Sequence, residues 1–284
     1  MHEEHIHKIA ILKVNGFSSV EKEDLVAIEE PMEIRLIHGP LEHRQRKSLS
    51  VTMRTPGNDF ELATGFLFTE GIIRHQSDLL KIEHCPNSED ETSGNVVRLS
   101  LHPELPLDID KFSRNFYTNS ACGLCGKTSI EAVLNAGTPV FKKSIFRITP
   151  ELVYSLTQKS RAQQLTFDHT GGLHAAALFN KTGKLLLIRE DIGRHNAVDK
   201  VIGAALLNGL EFPLTDHILL LSGRAGFELI QKATIAGIPI VAAVGAPSSL
   251  AISLAEESEM TLIGFLRNER FNIYSGAGRL EKFS

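Results

Sequence analysis

Cys122 and Cys125 are the residues whose type and spacing most plainly suggest chemistry. They lie in Ser120-Ala121-Cys122-Gly123-Leu124-Cys125-Gly126-Lys127-Thr128, two sulfurs at one glycine-rich, approachable point. Thr128 and Glu131 have the spacing of a capping box, and Ser129 to Ala136 reads as a short helix closed by Gly137. The pair thus precedes a helix N-terminus and adjoins the cation Lys127. Both features favour thiolate, the nucleophilic form. A structural zinc half-site and an incidental pair are the other readings of the same spacing.

A second concentration of polar residues follows from the rhythm of the last third. Strands are expected over Lys184–Arg189, His217–Leu221, Ile238–Val244 and Met260–Leu266. Helices are expected over Arg194–Leu207, Gly226–Ala236 and Pro247–Glu257, and an edge strand over Phe271–Tyr274. Alternating apolar strands and helices predict a parallel or mostly parallel sheet covered on both faces. Ligands of such sheets bind beyond the carboxyl ends of the strands. Those ends here read Glu190-Asp191-Ile192-Gly193-Arg194-His195-Asn196, Ser222-Gly223-Arg224-Ala225-Gly226, Gly245-Ala246-Pro247-Ser248-Ser249 and Arg267-Asn268-Glu269-Arg270. Small residues admit a ligand to backbone N–H groups, and arginines clamp phosphate, so a phosphorylated or dinucleotide-like ligand is expected. Individually these segments also suit tight turns and helix caps, with Asp191 or Ser248 as caps and His195 paired with Asp199 one turn on.

The elements ahead of the cysteines form an α+β module. Strands are expected at Ile9–Val14, Met32–Ile37, Ser48–Met53 and Val96–Leu101, with a helix from Asp59 to Glu70. A seam at Pro103–Pro106 divides the chain into residues 1–107 and 108–284. Further helices are expected at Asp108–Phe116 and Pro150–Gln164. Cys85 reads as a small buried or incidental thiol, His2, His5 and His7 as solvated, and His38, His43, Arg44, Arg46 and Lys47 as a solvated loop.

The 284 residues, 42% hydrophobic and 23% charged with a net charge of −4, describe an ordinary globular chain with no general attraction to nucleic acid or membrane. Three cysteines are too few for a disulfide scaffold, and the N-terminus does not read as a secretory signal, so a cytoplasmic location is expected. The uncharged run Ala233–Ala255 is broken by Gly237, Pro239, Gly245 and Pro247 and is expected to fold as strand, turn and helix rather than span a bilayer.

Zinc deaminases pair an H-x-E segment with P-C-x-x-C. Here His174-Ala175-Ala176 lacks the glutamate, no proline precedes Cys122, and the two motifs come in the opposite order. Zinc on Cys122, Cys125 and His174 remains an alternative, but without a general acid/base. The thioredoxin pattern, with its C-x-x-C at an early strand–helix junction, does not fit.

Cys122-Gly123-Leu124-Cys125-Gly126, Thr170-Gly171-Gly172-Leu173-His174, Glu190 through Lys200, Ser222-Gly223-Arg224 and Gly264 through Arg270 resemble the formate dehydrogenase accessory (FdhD) family, from about Glu30 to the C-terminus. The resemblance implies a sulfur carrier or sulfurtransferase. Such a protein takes persulfide sulfur from a cysteine desulfurase and passes it to the bis-molybdopterin guanine dinucleotide molybdenum cofactor, which then enters the formate dehydrogenase apoenzyme. It also implies a homodimer, an N-terminal α+β domain, and a C-terminal three-layer α/β domain of cytidine-deaminase-like fold with no permanently bound metal. Cys122 would carry the persulfide with Cys125 beside it. Phe265, Leu266, Arg267, Asn268, Glu269 and Arg270 would contact the guanine dinucleotide, and Ser222, Gly223, Arg224 and His195 complete the cofactor edge. A zinc hydrolase or deaminase-like protein, and a non-catalytic molybdenum cofactor chaperone, are the alternatives.

Overall fold

The structure, a computed structural model, describes residues 6–85, 94–106, 146–164 and 170–281. Cys122, Cys125, Lys127, the Thr128–Glu131 capping box and the helices expected at Asp108–Phe116 and Ser129–Ala136 lie outside the described residues.

The N-terminal part builds a four-stranded sheet from β3 (Glu30–His38), β4 (Gln45–Arg54), β5 (Leu79–His84) and β6 (Val96–Leu101), ordered β4-β3-β6-β5. Strand alternation sends Met32, Ile34 and Leu36 inward, while Glu33 and Arg35 stay at the surface. Those two pair at 2.7 Å, and the guanidinium holds the Glu33 carboxyl below its ordinary range. Helix α1 (Asp59–Thr69) packs on this sheet. Ahead of it, β1 (Ile6–Asn15) and β2 (Ser18–Ala27) form a separate hairpin, with Leu12, Val14, Phe17 and Val20 exposed. Arg44 is not a solvated loop residue: its guanidinium donates at 2.6 Å to each of the Gly39 and Leu101 carbonyls, tying the β3–β4 turn to the end of β6.

The larger sheet has six strands: β7 (His174–Asn180), β8 (Leu185–Asp191), β9 (His217–Leu221), β10 (Ile240–Ala243), β11 (Thr261–Arg267) and β12 (Arg270–Ser275), ordered β12-β11-β10-β9-β7-β8. Among the described residues of this sheet β9, β10 and β11 run parallel to one another, while β7 is antiparallel to both β8 and β9, and β12 to β11. The mostly parallel sheet of the sequence reading is therefore corrected to a mixed one. The difference arises at β7, whose Ala175-Ala176-Ala177 run lacks the β-branched residues that mark a strand yet is buried between β8 and β9.

Helices α2 (Pro150–Arg161), α3 (Arg194–Leu207), α4 (Phe227–Ile235) and α5 (Ser249–Glu257) cover this sheet on both faces. Alternate residues serve the two faces. Ala177, Phe179, Leu220 and Ala242 meet Val153 and Leu156 of α2, while Ala176, Leu178, Leu219 and Val241 join the core that includes Val198 and Val201 of α3. That core also contains Met32, Leu62, Leu67 and Val97 of the N-terminal part, so burial is continuous across the two sheets.

The close approach of α1 and α3 requires glycine. A Cβ on Gly203 would lie 1.9 Å from the Glu61 carbonyl oxygen, and one on Gly65 would lie 1.8 Å from that of Asp199. Polar contacts fix the adjoining junction of α3 and β8 with the end of β4 and the residue after it. The Lys200 ammonium pairs with Asp191 at 2.7 Å, both nearly inaccessible, and donates to the Thr55 carbonyl at 2.9 Å. Asn196 donates to the Met53 carbonyl at 2.8 Å, and the Thr55 amide donates to Asp191 at 3.2 Å. Breaking one partner of such a buried pair leaves an uncompensated charge.

Ala233–Ala255 folds as the end of α4, β10 and most of α5. No helix among the described residues is long and apolar enough to cross a membrane.

Candidate functional site

The carboxyl ends of β9, β10 and β11 converge through backbone hydrogen bonds. The Gly245 amide donates to the Gly223 carbonyl at 2.9 Å, Ala225 to Ala246 at 3.1 Å, and Phe265 to Gly245 at 3.1 Å. Gly245 is required here, because a Cβ would sit 2.9 Å from the backbone of Arg224. His174, at the start of antiparallel β7, joins the same edge; a Cβ on Gly223 would lie 3.1 Å from its Nδ1. Arg194 and His195 open α3 beside it.

Several segments found at the strand ends turn out to be partly architectural. The Ser222 hydroxyl accepts the Ala175 amide at 2.8 Å, pinning β7 to β9. Ser248 caps α5 by accepting the Ala251 amide at 3.3 Å, and Asp191 accepts the Gly193 amide at 2.8 Å. The pairing of His195 with Asp199 is corrected. His195 Nε2 meets Glu228 Oε2 of α4 at 2.5 Å, while Asp199 accepts from Lys232 and Thr69, each at 2.9 Å. Burial opposes the Lys232 charge, but the Asp199 carboxylate and then Glu70 outweigh it, so its pKa lies above the ordinary lysine value. Glu228 escaped sequence reading because it lies on another helix, with no spacing signal linking it to His195.

Burial is the main force pushing the His174 imidazole below its ordinary pKa. Arg194, His195 and Arg224 push the same way, against Asp191. Burial also depresses His217. The unfolded chain therefore takes up protons at both positions before the folded one does, and stability falls as pH drops through the ordinary histidine pKa of about 6.5 toward the depressed folded values. The fall in Tm between neutral and mildly acidic pH should accordingly be smaller for His174→Gln than for the parent. An equal fall in both would contradict this account of His174.

The Gly264–Arg270 segment overhangs the edge. Arg267 pairs with Arg270 across a two-residue turn whose Asn268 and Glu269 both have positive φ, 50° and 54°, as a twisted hairpin prefers. Phe265 lies at φ 54° within an irregularity of β11, a costly conformation for a bulky residue, and the residue is 38% exposed. Bulges re-aim side chains, and this one leaves Phe265 exposed next to the glycine-lined edge, its amide bonded to the Gly245 carbonyl. Leu266, between them, is 1% exposed and belongs to the core against α2, so only its backbone is available to a ligand. Arg224, Arg267, Asn268, Glu269 and Arg270 are exposed. The edge thus combines arginines, close-approach glycines and one strained aromatic, a set suited to phosphate and a planar base.

The model of the FdhD/NarQ family matches residues 27–281. The chain belongs to the FdhD/NarQ family. Among its FdhD relatives, the sulfur carrier protein FdhD of Streptomyces coelicolor is 48% identical over 273 residues, covering 95% of this chain and 94% of that one. The proteins of the same name from Mycobacterium tuberculosis and Sulfolobus acidocaldarius are 45% and 40% identical, covering 92% and 97% of this chain and 93% and 99% of their own. The fold is shared with the crystal structure of a Desulfotalea psychrophila protein assigned as a formate dehydrogenase accessory protein. Its TM-score is 0.74 at 24% identity, covering 98% of this chain and all of that one.

Proposed function

We propose that this FdhD/NarQ member is a sulfur carrier that takes persulfide sulfur from a cysteine desulfurase. It then passes that sulfur to the bis-molybdopterin guanine dinucleotide molybdenum cofactor, its substrate, before the cofactor enters a formate dehydrogenase. The observation that carries this reading is near-full-length identity of 40–48% to proteins named as sulfur carriers. The motif around Cys122 and Cys125 supports it from chemistry: a thiolate attacks the outer sulfur of a persulfide, the old S–S bond breaks, and the donor leaves as thiolate with no outside oxidant. The reading places Cys122 as the acceptor with Cys125 beside it, works in the cytoplasm, and takes the chain as a homodimer. It also takes the six-stranded sheet as a cytidine-deaminase-like fold, supported by the antiparallel β7–β8 hairpin leading into three parallel strands. Expression in cells that lack their own family member tests the proposal. Restored formate dehydrogenase activity is expected, and none from a well-expressed protein would contradict it.

Phe265 supplies the stacking face for guanine in this reading. Stacking of a base on an aromatic ring is worth about 1–3 kcal/mol, so Phe265→Ala should weaken GDP binding roughly 5- to 150-fold by calorimetry. Phe265→Gly should lose the same affinity while relieving the positive φ, leaving Tm within a few degrees of the parent. GDP binding equal to the parent in both variants would remove Phe265 from the site.

A further inference from the structure

His195 and Glu228 meet between the first turns of α3 and α4, their side chains only 12% and 13% exposed. The Glu228 charge helps raise the Lys232 pKa one turn further along α4. A carboxylate accepts hydrogen bonds, so the 2.5 Å contact sets His195 Nε2 as the donor to Glu228. Nδ1 is then the nitrogen left for other partners. The ring stands close enough to His174 to disfavour protonation there, as do Arg194 and Arg224, which places it within the cationic part of the edge. Two further atoms in this cluster are buried without a partner among the described residues, Glu228 Oε1 and Arg194 Nε. A carboxylate kept buried with one oxygen unsatisfied is not an economical way to join two helices; it is a recognised way to orient a functional imidazole.

We propose that Glu228 is the positioning residue of the strand-end site. It holds His195 as the Nε2–H tautomer, leaving Nδ1 as a hydrogen-bonding group for the ligand beside the Arg194 and Arg224 cations. The ligand such a set recognises carries anionic phosphate together with a hydroxyl or similar donor, the chemistry of a nucleoside diphosphate. This rests on the reading of the edge as a nucleotide site, whereas the tautomer itself does not.

Long-range proton–nitrogen NMR of the full chain at alkaline pH, where histidines are neutral, reads the tautomer without any ligand. His195 should show Nε2–H in the parent and in Glu228→Asp, which keeps the carboxylate. In Glu228→Gln the amide can also donate to Nε2, so an Nδ1–H population should appear. GDP affinity should fall about tenfold in Glu228→Gln, the size of one hydrogen bond at this edge, with recovery in Glu228→Asp. An Nδ1–H or doubly protonated His195 in the parent overturns the proposal, and so does a changed tautomer in Glu228→Gln with GDP affinity unaltered. If Glu228→Gln does not fold, an Nδ1–H His195 in the parent or in Glu228→Asp still overturns the proposal. If the tautomers behave as expected but the parent does not bind GDP, the nucleotide reading of the edge fails and Glu228 keeps its action on His195 alone.

Discussion

Gly203→Ala should destabilise the protein by about 3 kcal/mol or more, lowering Tm by roughly 6–12 °C for a chain of this size. The added methyl would meet the Glu61 carbonyl oxygen at 1.9 Å and the Gly65 amide nitrogen at 2.7 Å. Both are helical backbone, which cannot rotate aside as a side chain would, so α1 and α3 must separate. Separation would disturb the Thr69–Asp199 bond between α1 and α3, the Lys232 contact with Asp199, and the ion pair of Arg189 on β8 with Glu61 on α1. Helix propensity alone predicts the opposite sign, since alanine is favoured over glycine by about 1 kcal/mol in a helix interior. Thermal unfolding therefore separates the two effects by direction. A Tm equal to or above the parent's would mean that α1 and α3 are not packed glycine to backbone.

Cys122→Ala should abolish maturation of formate dehydrogenase in cells while leaving the thermal transition in place. The proposal routes all sulfur through that thiol, and alanine supplies no nucleophile to accept a persulfide. Cys85 offers the internal comparison. It is partly buried at the end of β5, where its amide donates to the Val96 carbonyl, a bond that Cys85→Ala retains. Cys85→Ala should thus be close to neutral for maturation. Loss of maturation on substitution of Cys85 but not Cys122 would reverse the assignment of the two thiols.

The last third of the chain was readable because its strands are apolar and its helices begin after small or capping residues. The helix expected at Arg194–Leu207 and the strand expected at His217–Leu221 are found with those bounds. Strand β7 was not readable, because three consecutive alanines carry no period-two signal. Strands β2 and β5 were also missed: β2 is studded with charge, and β5 is partly exposed. At the site, the glycines and arginines at the strand ends were visible in the sequence. Ser248 was legible as a helix cap and is one, whereas the Ser222 acceptor and the particular bond of Asp191 to the Gly193 amide were not, since they depend on which amide each side chain meets. The same limit hid the His195–Glu228 contact, which joins two helices, and led to His195 being matched with Asp199, its neighbour on the same helix. Phe265 was legible as an aromatic in a motif, but its positive φ and exposure follow from the β11–β12 bulge.

The central claim is that this chain carries sulfur on Cys122. Intact-protein mass spectrometry under non-reducing conditions, after incubation with a cysteine desulfurase and cysteine, tests it most directly. A gain of about one sulfur mass is expected, removable by a thiol reductant and absent from Cys122→Ala, as exchange between a persulfide and an acceptor thiolate requires. An unchanged mass in the parent, with the desulfurase shown to be active, would contradict the sulfur-carrier account.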